Sequence, residues 1–315
     1  MTSYVNSFRK SVATKSFASI ILLVGYFSAL LTPAWCEDAR QPTYENVPYG
    51  PHQRNVIDFW QAEGDGPRPL LVYIHGGGWT GGDKRRNGTT FQPFLEQGIS
   101  YAAINYRLSG DAPLPTPVHD AARAIQFLRS KAQAWNVRPD RIALTGGSAG
   151  ACTSMWILLH DDLADPSAED EVAQQSTRVT AAAVSAGQTS IDPHVIREWL
   201  GPMVLQHRMI NLSVGEPTIE SALKNYDQHQ SLYVEFSPYN HLDAADPPLL
   251  MTYGNDMTLP SKNAGHGIHH PMYGVKMKQK ADQVGHECHL LIKGVSASAS
   301  YDSPNAFLVD KLLAE

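Results

Sequence analysis

The residue best placed for covalent chemistry is Ser148, in Gly146-Gly147-Ser148-Ala149-Gly150. An apolar run of strand length, Arg141 to Thr145, precedes it, and a small-to-apolar run of helical character continues to Leu159. Strand, tight turn and helix form the setting that holds a serine at a sharp elbow with its hydroxyl exposed. The glycines let the chain turn sharply, and the helix that follows points free N–H groups at developing negative charge. Upstream, His75-Gly76-Gly77-Gly78-Trp79 follows the apolar run Pro69 to Ile74. Bare backbone at successive positions brings two N–H groups close to one oxygen. Together the motifs predict attack by Ser148 on a carbonyl carbon, with the amides of Gly77, Gly78 and Ala149 holding the oxyanion. His75 and Trp79, at the two ends of the glycine run, are expected to contact substrate. A phosphate-cradling loop is the alternative, but neither G-K-[ST] nor G-x-G-x-x-G with a following acid occurs. For the serine motif taken alone, an ordinary strand-to-helix turn is the plain alternative.

These motifs need a sheet beneath them. Leu70 to Ile74 reads as a parallel strand buried on both faces, and Gly98 to Tyr106 as the next. Tyr44 to Trp60 reads as a strand pair around the turn Pro48-Tyr49-Gly50-Pro51, and Arg138-Pro139-Asp140 as a turn before the serine strand. Ala121, Ile125, Leu128 and Trp135 recur at helical spacing over Val118 to Trp135. Asp120, in the first turn, suits the helix dipole and is expected to be structural; Arg107 and Arg123 are expected to brace the elbow loops. His160 to Gln175 is acidic and polar, as a surface insertion would be. Arg178 to Ala186 is a small-residue strand, and Gln188 follows at its carboxyl end, where open parallel sheets bind ligands. Gln188 is therefore a candidate pocket residue, with a plain loop as the alternative. Val195 to Leu242 is mixed helix and loop, expected to cover the substrate. Pro247 to Tyr253 and Glu287 to Lys293 are the last strands, with a helix from Met272 to Val284 between them.

The chain resembles the α/β-hydrolases of the carboxylesterase group, near hormone-sensitive-lipase-like and feruloyl-esterase-like members. The residues that carry this are HGGGW with Gly82-Asp83-Lys84 after it, Asn105-Tyr106-Arg107-Leu108, His119 to Ala124, and RPDRIALTGGSAG. They are dense from Tyr44 to Leu159 and thinner afterwards. The resemblance implies an α/β fold, with a mostly parallel central sheet, helices on both faces and a small cap-like insertion. Gly254-Asn255-Asp256, followed by Pro260, resembles the family's acid loop, one residue shorter before the acid. Asp256 is thereby the candidate triad acid, and it follows the serine in chain order as that fold requires; an Asx turn closing the loop is the alternative.

The resemblance then breaks. It places the base just after the last strand, near Ser296 to Ser298, yet no histidine occurs after His289. One explanation is a relocated base in His266-Gly267-Ile268-His269-His270-Pro271, with His269 or His270 as the candidate. The other is loss of chemistry, leaving a hydrolase-fold binding protein. For His269 and His270 the bland reading is a polar helix start with Pro271 in the first turn. No ligand set is spaced for a metal, and no cofactor is implied. The resemblance implies a small acyl or carbohydrate-linked ester as substrate. A peptidase of the prolyl-oligopeptidase kind is a further alternative, although no β-propeller precedes the hydrolase part.

With 315 residues, 43% hydrophobic and 18% charged, the chain has the composition of a globular protein. Arg9, Lys10 and Lys15 precede an uncharged apolar run from Phe17 to Leu31, then Ala34-Trp35-Cys36. That pattern reads as a secretory signal peptide cut after Cys36, or as an uncleaved anchor; a secreted or periplasmic protein is expected, with one domain over 44–315. Without that segment 22 basic side chains face 31 acidic ones, a formal −9. Such a balance argues against nucleic acid or an anionic membrane as partner. Cys152 and Cys288 remain, and both are expected to be buried and reduced.

Overall fold

The computed structural model describes residues 40–87, 90–295 and 300–314. The segment read as a signal peptide and positions 296–298 lie outside the described residues. The strands are β1 (Tyr44–Pro48), β2 (Val56–Trp60), β3 (Arg68–Ile74), β4 (Ser100–Ile104), β5 (Val137–Gly147), β6 (Ala181–Ser185), β7 (Leu249–Tyr253) and β8 (Cys288–Ile292). They form one sheet in the order β1-β2-β4-β3-β5-β6-β7-β8. The pairings β1–β2 and β2–β4 are antiparallel, and every pairing from β4 to β8 is parallel.

The helices are α1 (Gln92–Glu96), α2 (Thr116–Ser130), α3 (Ala149–Leu159), α4 (Pro193–Leu200), α5 (Met209–Leu212), α6 (Ile219–Lys224), α7 (Tyr226–Glu235), α8 (Pro238–His241), α9 (Ala264–Ile268), α10 (Met272–Val284) and α11 (Pro304–Leu313). They cover both faces of the sheet. Strand side chains alternate between the faces: Leu70, Val72 and Ile74 of β3 join the larger core with α2, α3 and α10, while Leu71 joins a second core with α1 and α11. The segment from α4 to α8 is the mixed helix and loop expected of a cap.

Two of the departures from the sequence reading have a clear physical cause. Helix α2 stops at Ser130, and Trp135 enters the core from the turn beyond it, its ring tilted against Phe59 at 4.8 Å and stacked on Tyr44 at 5.0 Å. Apolar spacing extended the helix because that residue is buried without being helical. Strand β5 begins at Val137, so Arg138-Pro139-Asp140 lies inside it. Arg68 pairs with Val137 but Leu70 pairs with Ile142, so β5 carries extra residues where proline cannot donate to the ladder.

Several polar motifs turn out to be struts. The ammonium of Lys84 is buried and lies 2.6 Å from Asp58 Oδ2, while its backbone N–H donates to Asn105 Oδ1 at 2.6 Å. Asn105 in turn donates to Asp83 Oδ2 at 2.8 Å, so the Gly82-Asp83-Lys84 and Asn105-to-Leu108 motifs grip each other. Asp120 accepts from Arg107 and Asn55, as a structural residue would. Arg123 does not brace the elbow: its guanidinium reaches Tyr49 O and Asp170. Cys152 and Cys288 are buried and unbridged.

Candidate active site

Ser148 stands at the junction of β5 and α3 with φ 54° and ψ −124°, a left-handed backbone that aims its hydroxyl out of the elbow. Its own N–H donates to Ser185 O at 2.9 Å, tying the elbow to the end of β6. Gly150 must be glycine, since a Cβ there would lie 2.1 Å from Ile74 O at the end of β3. Helix α3 is buried along all 11 of its residues, which explains why it carries no charged side chain.

The glycine loop leaves the end of β3 alongside. Gly77 has φ +121°, and a Cβ would sit 2.1 Å from Gly81 O, so a side chain is excluded on both counts. Gly76, Gly77, Gly78, Ser148 and His269 share the wall of one cavity of about 700 Å³. Among the described residues, the amides of Gly77, Gly78 and Ala149 donate to no protein acceptor. Those of Gly77 and Gly78 belong to wall residues and are thus available to an oxyanion in that cavity, and that of Ala149 follows Ser148 directly in the chain.

The histidine facing Ser148 is His269, just beyond α9. Its Nε2 lies 2.9 Å from Ser148 Oγ and its Nδ1 lies 3.1 Å from Gly265 O. A carbonyl can only accept, so Nδ1 carries the proton and Nε2 is the lone-pair nitrogen that accepts from the serine hydroxyl. Partial burial lowers the His269 pKa, opposed by the bond to Gly265. The neutral, basic form is therefore favoured near neutral pH.

The other sequence candidates are elsewhere. His270 is fully buried, its Nε2–H donating to Thr258 O at 3.2 Å and its Nδ1 accepting from Met272 N at 3.0 Å. One residue along from His269, it points into the protein and holds the start of α10. Asp256 is not behind His269. Its carboxylate is held well below the usual range chiefly by Lys262, 2.5 Å away, and Oδ1 is 3.7 Å from His266 Nε2. It also accepts from Thr258 N at 3.2 Å, so the Asx-turn reading describes its geometry.

His75, Trp79 and Gln188, expected at the substrate, are all fully buried and brace the site from beneath. His75 stacks on Tyr106 with centroids 4.2 Å apart, its Nδ1–H donates to Gly76 O at 2.8 Å, and its Nε2 accepts from Arg54 at 3.3 Å. Burial pushes its pKa down to about 4, so it is a neutral strut. Trp79 Nε1 donates to Thr153 Oγ1 at 2.9 Å, which pins the glycine loop to α3. Gln188 Nε2 donates to Ile268 O at 2.6 Å, and Thr189 Oγ1 donates to Tyr273 O at 3.0 Å. The loop after β6 thereby holds both ends of the segment carrying His269. Sequence reasoning placed Gln188 at the correct end of its strand but could not tell that its side chain turns inward.

Wall residues that the sequence reading did not single out include Tyr73, Thr80, Arg86, His207 and Arg208. Arg86 lies just past the Gly82-Asp83-Lys84 motif, which marked its neighbourhood. His207 and Arg208 lie in the cap, where no pattern singled them out.

A mostly parallel sheet with a serine at a strand-to-helix elbow, a histidine on the same edge and a glycine loop beside it defines an α/β-hydrolase. The profile of the BD-FAE family matches residues 58–266, and the chain belongs to that family. It is similar to the probable carboxylic ester hydrolase LipM of Mycobacterium tuberculosis, 30% identical over 70% of this chain and 49% of the relative. The chain spans about half the length of the curated relatives it matches. Among solved structures it is similar to a truncated carbohydrate esterase from gut microbiota, with TM-score 0.65, 21% identity, 82% of this chain and 89% of that one covered. An acetyl ester-xyloside bifunctional hydrolase from Caldicellulosiruptor lactoaceticus gives TM-score 0.59 at 18% identity, over 86% of this chain and 94% of that one.

Proposed function

We propose that the protein is a serine carboxylester hydrolase acting on small acyl or carbohydrate-linked esters. The observation that carries this reading is the 2.9 Å contact between Ser148 Oγ and His269 Nε2, in a cavity whose wall includes Gly77 and Gly78, with undonated amides. His269 takes the Ser148 proton as Oγ bonds to the ester carbon. The carbonyl oxygen becomes an oxyanion facing Gly77, Gly78 and Ala149. On collapse of that intermediate the C–O bond to the alcohol breaks, and His269 returns the proton to the leaving oxygen. Water, deprotonated by the same nitrogen, then attacks the acyl-serine; the acyl C–Oγ bond breaks, His269 returns the proton to Ser148 Oγ, and the acid is released. Names of relatives and neighbours that are ester hydrolases, and the carbohydrate esterases among the structural neighbours, support the substrate class.

A second reading has its own observation. Behind His269 stands the neutral carbonyl of Gly265 rather than a carboxylate, so the imidazolium formed in the transition state gains less stabilisation than a triad provides. This favours a slow enzyme, and in the limit a binding protein. Turnover of 4-nitrophenyl acetate by the wild type, Ser148→Ala, His269→Ala and His270→Ala separates them. The esterase reading expects loss in the first two variants and retention in His270→Ala. Wild-type turnover no faster than Ser148→Ala would hand the case to the binding protein. We further propose that residues 1–36 direct export, on the charge and apolar pattern given above.

A further inference from the structure

Most arginines among the described residues are engaged: Arg107, Arg123, Arg138 and Arg178 with carboxylates, and Arg68 and Arg129 with backbone carbonyls. Arg86 and Arg208 are different. Both are exposed and both line the cavity that holds Ser148, and neither guanidinium has a hydrogen-bond or ion-pair partner among the described residues. They come from opposite parts of the chain, Arg86 from the turn after the glycine loop and Arg208 from the cap. No Asp or Glu among the described residues lines that cavity, although the chain as a whole carries a net charge of −6. Burial raises the Tyr73 pKa and lowers those of His75 and His207; Arg86 is near enough to oppose the first shift and add to the second, and Arg208 adds to the third.

An arginine pair left unneutralised at the mouth of a site, in an acidic protein, favours anionic ligands there. A guanidinium fork is also matched in shape to a carboxylate. We propose that Arg86 and Arg208 form a subsite for a carboxylate carried by the substrate apart from the ester group, so that preferred substrates are anionic esters. This rests on the ester-hydrolase reading for the reaction and names the class of molecule that reaction takes. The carboxylate can belong to the acyl part, as in a half-ester of a dicarboxylic acid, or to the alcohol part, as in an acylated sugar acid.

Two matched pairs of esters separate these sources. Mono-4-nitrophenyl adipate against 4-nitrophenyl hexanoate puts the charge on the acyl side; 4-acetoxybenzoate against 4-acetoxybenzamide puts it on the alcohol side. In at least one pair kcat/KM for the anionic ester should exceed that of its neutral partner about tenfold at low salt. The excess should shrink in about 0.5 M NaCl, where exposed charges are screened. The double variant Arg86→Gln with Arg208→Gln should lower the anionic-to-neutral ratio about tenfold. Ratios near one in both pairs overturn the proposal. So does a double variant that slows both members of a pair equally, which would make the arginines general electrostatic helpers. Equilibrium dialysis of the adipate ester with Ser148→Ala protein, with and without the arginine substitutions, needs no turnover. Arginine-dependent binding in a protein that hydrolyses no ester would overturn the esterase reading and keep the subsite. Absence of arginine-dependent binding would overturn the subsite.

Discussion

Replacing Asp256 by asparagine asks whether the site works as a triad or as a serine–histidine pair. In a triad, the acid orients the histidine and stabilises its charged form, and its amide replacement lowers kcat about 10⁴-fold. Here the Asp256 carboxylate is about half exposed and faces Lys262 at 2.5 Å, while His269 Nδ1 is already occupied by Gly265 O at 3.1 Å. Removing its charge therefore leaves the Ser148–His269 contact and the histidine tautomer untouched. The Thr258 N–H that Asp256 accepts keeps an oxygen partner in asparagine, so the turn persists. The expected loss in kcat is under about threefold, since exposed ion pairs contribute little. The assay is 4-nitrophenyl acetate turnover, with circular dichroism and thermal melting to verify the fold. A loss beyond about a hundredfold in a folded protein would mean that Asp256 swings behind His269 during catalysis, and the pair description would be wrong.

Other outcomes follow from the same geometry. His269 must be neutral to accept the proton, and burial lowers its pKa, so kcat/KM should rise with pH to a plateau through a midpoint below the usual 6.5 or so; a midpoint above about 7 would contradict that environment. Gln188→Leu removes the donor to Ile268 O and should lower kcat about ten- to a hundredfold with KM little changed, because a small displacement of the base is costly; equal losses in kcat and in thermal stability alone would reduce it to a fold effect. Gly77→Pro deletes one oxyanion donor and forbids φ +121°, so kcat should fall at least about a hundred- to a thousandfold. Lys84→Met leaves Asp58 buried without its cation and should destabilise the protein by about 3–5 kcal/mol in urea titration. N-terminal sequencing of exported protein should begin at Glu37; a mature chain that still starts at Met1 would support the anchor instead.

The parts of the site carried by local backbone were legible in the sequence. A strand, a glycine-flanked serine and an apolar helix predict an elbow because each element is dictated by residues within a few positions of the others. The glycine loop is legible for the same reason, since Gly77 tolerates no side chain. What depends on side-chain direction was not. His269 and His270 are adjacent and chemically identical, yet one faces Ser148 and the other Thr258 O; which does so depends on where α9 ends and how Gln188 and Thr189 hold the following loop. His75, Trp79 and Gln188 sit where substrate contacts were expected, but each finds a partner underneath, in Gly76, Thr153 and Ile268. Asp256 kept the spacing of an acid loop while its carboxylate was taken by Lys262, six positions away. Burial of a polar residue with a long-range partner leaves no periodic trace in the chain.

The wholly buried helix α3 has a consequence for how this protein can vary. All of Ala149 to Leu159 is buried, and the helix packs on the sheet, α2 and α8, so a charge or a larger side chain there disturbs the packing beneath the nucleophile. Arg86 and Arg208 are exposed and paired with nothing among the described residues, so they can be exchanged with little effect on packing. Descent with modification can thus rewrite the mouth of the cavity while the pillar under the serine stays frozen, and substrate range should drift faster than the capacity to react.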